Sequence, residues 1–166
     1  MNMKRPIRLT VFLLVAVLGI LTVAEAKTME PKNKQKITVT QMASLAASPG
    51  PSDYFTGAVE VVMLIVPHEP ARTSGARVSF APGARTAWHS HPYGQTLIVT
   101  AGSGRIQQWG GTVEEMNEGD VISIPPGVKH WHGAAPNSSM THIAVQESLN
   151  GSAATWMEQV SDEQYR

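Results

Sequence analysis

The chain has no cysteine among its 166 residues, which excludes both a disulfide framework and a thiolate metal site. Charge is scarce too. Lys, Arg, Asp and Glu supply 16% of the residues and cancel to a formal net charge of zero. No basic patch or stripe marks a nucleic-acid partner. Tandem repeats and low-complexity tracts are absent. Only one long apolar run occurs, at residues 9–23, and it falls short of the roughly 20 residues that span a bilayer comfortably.

That run reads as part of an export signal. Lys4, Arg5 and Arg8 precede it, and Ala24-Glu25-Ala26 follows it as a small-x-small cleavage site. Residues 1–26 are therefore expected to be a signal peptide cleaved after Ala26, delivering a periplasmic or secreted protein with no stable membrane association. The remaining 140 residues carry ten basic and twelve acidic side chains, a net charge of −2. This length suits one domain with a core of its own. Residues 27–52 read as an N-terminal extension whose Lys32, Lys34 and Lys36 form a solvated tail. Within it, 37–40 has the look of a first strand and 48–52 is a turn-rich break.

Beyond that break the chain alternates short β-prone segments with Gly and Pro. Strands are expected at 58–66, 76–80, 86–91, 95–100, 104–108, 112–116, 120–124, 129–132 and 141–147. Breaks fall at Pro82-Gly83, Gly102-Ser-Gly104, Gly110-Gly111 and Pro125-Pro-Gly127, where the turn chemistry is favourable. Such spacing predicts an all-β domain, a sandwich or closed barrel, over residues 53–166. The tail from Ala153 looks helical, and Ser161-Asp-Glu-Gln164 resembles a capping box. Met63 and Leu64 are expected to fill the core.

Six histidines are present, and four of them form the pairs His89-Ser-His91 and His130-Trp-His132. Side chains two residues apart on a strand share a face. Neutral imidazole is also the commonest protein ligand for a transition metal. His89, His91 and His130, with Gln95 four residues past His91, are thus the candidate metal ligands. His132 shares the face of His130, as Gln146 shares that of His142. Thr86 and Arg77 are placed near the mouth of the barrel. Trp88 and Trp131 point away from the metal and pack between sheets or subunits. His68 belongs to a solvated loop.

The pattern Gly83-x5-His89-x-His91-x3-Gln95-x6-Gly102, followed by Gly119-x5-Pro125-x-Gly127-x2-His130, resembles the two motifs of the cupins. The usual first motif has glutamate where this chain has Gln95. Three imidazoles and an amide leave the charge of a bound cation uncompensated, so the site is expected to be a strong electrophile that welcomes an anion. The runs 86–102, 129–136, 140–147 and 162–166 resemble more narrowly the small manganese-dependent bacterial cupins with hydroxynitrile lyase activity. The resemblance implies a cupin jelly-roll barrel. It implies manganese, or secondarily iron, on the residues matching His89, His91, Gln95 and His130. It also implies reversible cleavage of a mandelonitrile-like cyanohydrin into aldehyde and cyanide. The resemblance assigns the general base to the residue matching His142, and His132 and Gln146 are expected beside the leaving cyanide. A metal-dependent dioxygenase acting on a small aromatic and a periplasmic binding cupin remain open alternatives. A homodimer or homotetramer is expected.

Overall fold

The computed structural model describes residues 36–166. The expected signal peptide and the extension as far as residue 35 lie outside the described residues. Val39–Arg166 forms one compact unit. It begins ahead of the expected boundary at residue 53, because a 3-10 turn, Met42–Ser44, and strand β1, Ala47–Pro49, already belong to it. The expected strand at 37–40 does not form. Alternating residues alone do not make a strand without a partner edge, and Val39 is left exposed.

The remaining strands are β2 (Phe55–Thr56), β3 (Val59–Ile65), β4 (Thr73–Phe80), β5 (Arg85–Thr86), β6 (His89–Ser90) and β7 (Gln95–Gln108). Next come β8 (Val113–Asn117), β9 (Val121–Ile124), β10 (His130–Ala134), β11 (Met140–Glu147) and β12 (Thr155–Trp156), and a short helix α1 (Asp162–Tyr165) closes the chain. Every pairing is antiparallel, along the path β1-β3-β4-β11-β7-β10-β5-β2. The result is a mostly β half-barrel of the jelly-roll kind.

β7 joins the two walls. Its first half pairs with β11 and β9, and its second half with β10 and β8. Gly102-Ser-Gly104, expected to break the chain into two strands, is instead the corner where one strand passes from wall to wall. Gly102 has φ +72°, and a Cβ there would sit 2.0 Å from the Ser139 carbonyl oxygen, so glycine is required at the corner.

Inward-facing Val78, Phe80, Leu97, Val99, Met140 and Ala144 fill the barrel. Leu64 is half-buried but Met63 is exposed, beside a register irregularity in β3 that interrupts the alternation. A second cluster lies under the C-terminal tail, where Trp88 and Trp131 pack on Val160 and Tyr165. The two tryptophans thus meet the chain's own tail, which is non-helical over most of its length. β12 pairs with β6, and only the last turn is helical, capped by the expected Ser161–Gln164 box. Buried Arg85 ties the tail down with bonds to the Val160 carbonyl (2.9 Å) and Asp162 (2.7 Å). The Tyr165 hydroxyl donates to the Ala134 carbonyl (2.7 Å).

Candidate metal centre and active site

Strand register brings the two histidine pairs together. His89 on β6 is directly opposite His130 on β10. His91 follows β6, Gln95 opens β7, and His132 is two residues along β10. The His89 ring lies 4.2 Å from that of His130, 5.1 Å from His91 and 5.4 Å from His132, centroid to centroid. One ring nitrogen from each of His89, His130 and His132 falls within 4.8 Å of the others. All of these histidines are buried.

Hydrogen bonding separates the rings into two kinds. A carbonyl can only accept, so Nδ1 of His89 donates to Ala87 (2.9 Å), that of His91 to Ala153 (2.7 Å) and that of His130 to Val128 (2.9 Å). Each of these tautomers turns its Nε2 lone pair away from the carbonyl, which is how metal-binding imidazoles are held. Nε2 of His91, Nε2 of His130 and Oε1 of Gln95 are buried without any partner. Orphaned buried acceptors cost about 1–3 kcal/mol each unless something supplies the missing bond. A cation supplies it. Three imidazoles and one amide oxygen therefore fit a metal ion. His132 is close enough to be counted with His89 and His130, but no carbonyl orients its ring and its Nδ1 is unpartnered. Carbonyl bonds thus orient His89, His91 and His130, whereas proximity groups His89, His130 and His132.

His142 stands next to this group. Its ring is 4.9 Å from His132 and 5.5 Å from Phe80, it is fully buried, and neither ring nitrogen has a partner. Gln146, four residues along β11, lines the same cavity, whose volume is about 760 Å³. Thr86 also lines it, its hydroxyl accepting from the His132 main-chain N–H (3.1 Å). Arg77, expected near the mouth, is instead on the outer face with Glu60 and Met42. His68 lies in an exposed loop.

A profile of the Cupin domain family matches residues 76–145. The (R)-mandelonitrile lyase of Granulicella tundricola is 57% identical over 128 residues, which cover 77% of this chain and 98% of that protein. The chain is a cupin. Among solved structures, a cupin-like protein from Thermotoga maritima MSB8 superposes with TM-score 0.69 and 47% identity, over 72% of this chain and 90% of that one. A polyketide cyclase from Streptomyces resistomycificus, at 20% identity and TM-score 0.59 over 78% of this chain and 91% of that one, shares the fold alone.

The site of this cupin holds its imidazoles neutral. Burial pushes His89 and His132 well below the usual histidine range, with neighbouring imidazoles adding to the effect. Burial also lowers His91, opposed by the Ala153 carbonyl and the Gln95 side chain, and it brings His130 and His142 down to about 4. Neutral rings have lone pairs to give. Among the described residues, no side chain lining the cavity is an acid, a lysine or an arginine. Trp156, which lines the cavity, carried no signal in the sequence. Trp156 stacks on His89 at 4.6 Å and on Tyr54 at 4.5 Å, and Phe55 lies 5.9 Å from it. Lone aromatics far from the motifs reveal their place only once the tail has folded back.

Proposed function

We propose that this cupin is a metal-dependent lyase that reversibly cleaves mandelonitrile-like cyanohydrins into aldehyde and cyanide. The observation that carries the reading is a charge-free cavity with buried, unpartnered imidazoles at one end and aromatic walls around it. The homology to a mandelonitrile lyase over nearly all of that protein's length supports it.

His89, His91, Gln95 and His130 would hold the ion, manganese before iron. Once bound, the ion supplies Lewis acidity at the substrate oxygen. His142 is the base. An unpartnered ring nitrogen takes the hydroxyl proton, and neutrality is its state near pH 7. The C–CN bond breaks as the carbonyl forms, and cyanide departs with the bonding pair. His132 and the free N–H of the Gln146 amide stand beside it to donate hydrogen bonds. Tyr54, Phe55 and Trp156 provide an aromatic wall for the aryl ring.

Metal-loaded protein incubated with mandelonitrile is the test. Benzaldehyde and cyanide should appear together without oxygen uptake. Oxygen consumption with no cyanide would move the reading to a dioxygenase, and tight anion binding without turnover would move it to a binding protein.

The export segment supports a periplasmic or secreted location. Exposed Ile98 and Val121, which are register partners on the outer face, support assembly into a homodimer or homotetramer. Light scattering of the mature protein tests the assembly.

A further inference from the structure

Three polar side chains form a row across the first wall of the barrel. Gln146 on β11 is the register partner of Ser74 on β4 and of Gln95 on β7. Gln95 Nε2 donates to Gln146 Oε1 (3.2 Å), and Gln146 Nε2 donates to Ser74 Oγ (2.9 Å). Ser74 is buried and does not line the cavity. Its hydroxyl proton is directed at the Gln146 main-chain carbonyl (3.4 Å), the longest bond of the set.

An amide turned by 180° exchanges an acceptor for a donor. A row of two amides and a hydroxyl therefore has two self-consistent directions. In one, donors run from Gln95 to Ser74 and the Gln95 oxygen is left at the far end, facing the ligand cluster. In the other, the Gln95 NH₂ group faces the cluster and cannot bind a cation. With its proton on a main-chain carbonyl, Ser74 meets Gln146 as an acceptor, which closes the row in the first direction. The buried, unpartnered Oε1 of Gln95 is the free end this direction produces.

We infer that Ser74, acting through Gln146, is a positioning residue that holds the carboxamide oxygen of Gln95 toward the metal. The inference rests on the metal site of the reading above and not on the reaction. It also gives Gln146 two duties from one NH₂ group: one N–H fixes the relay, and the other remains for the cavity.

The experiment is cobalt(II) titration of the metal-free mature protein, following affinity and the visible d–d absorption that reports the donor set. Ser74→Ala should weaken cobalt binding about tenfold, the lower end of what loss of a ligand's supporting bond costs. It should also alter the d–d bands, while Ser74→Thr, which keeps the hydroxyl, restores both. Wild-type affinity and spectrum in Ser74→Ala would overturn the inference, as would equal losses in the Ala and Thr variants. If Ser74→Ala does not fold, Gln146→Ala carries the test, with the same loss expected and unchanged binding contradicting it. Wild-type protein that takes up no cobalt would fail the metal site itself, a result distinct from failure of the relay.

Discussion

His142 and Gln95 do different work, and single substitutions separate them. His142→Ala removes the proposed base, which lies outside the proposed ligand set. It should keep its metal and lose roughly 10²- to 10⁴-fold in turnover, the usual worth of a positioned base. Metal content and kcat measured on one sample check this. Gln95→Glu adds a carboxylate to a site that has none and lowers its net charge by one. The variant should hold the cation at least as tightly and bind cyanide more weakly, which inhibition by added cyanide measures. At this scale much of the site was legible in the sequence. The even spacings within His89-His91, His130-His132 and His142-Gln146 follow strand parity; these residues and Gln95 put six side chains on one cavity, with the seventh, His130, packed against His89 and His91. Ser74 and the Ala153 carbonyl were not legible. Neither belongs to a motif, and each acts through a partner more than 60 positions away.

At the scale of elements, strand existence followed the apolar alternation and the Gly-Pro punctuation. Errors came where a glycine permits continuation as readily as it permits a break. Gly102 looked like a turn between two strands and is the bend within β7. The physical difference is crowding, which sequence does not display. Gly102→Ala should cost several kcal/mol, because a positive φ is combined with collision against the Ser139 carbonyl. Gly110→Ala, at a similar φ with open space around it, should cost about 1 kcal/mol. Urea unfolding of the two variants side by side measures the contrast. The tail misled for a related reason. Its last turn carries a true capping box, yet β6 offers an edge and Arg85 a clamp, and the preceding residues answer to those tertiary partners rather than to local propensity.

For the whole molecule, the buried imidazoles make stability depend on pH. In the metal-free folded chain His130 and His142 titrate near 4, whereas an unfolded histidine titrates near 6.5. Above about pH 6.5 both states are neutral and no penalty arises. As pH falls from 6.5 towards 4 the unfolded chain takes up protons that the folded one refuses, so stability declines, by on the order of 3 kcal/mol for each group. Denaturation midpoints of the metal-free protein at pH 7.5, 6 and 5 should fall in that order. Bound metal should hold the midpoint up until protons displace it. A midpoint flat from pH 7.5 to 5 without metal would mean the imidazoles are hydrated rather than buried.

The proposed function rests on one ion held by His89, His91, Gln95 and His130. Elemental analysis of the purified mature protein, together with its His89→Ala, His91→Ala and His130→Ala variants, tests it most directly. Close to one transition-metal ion per chain is expected in the parent, with a large loss in each variant. A parent that takes up no metal under any loading condition, or variants that keep it in full, would rule this ligand set out.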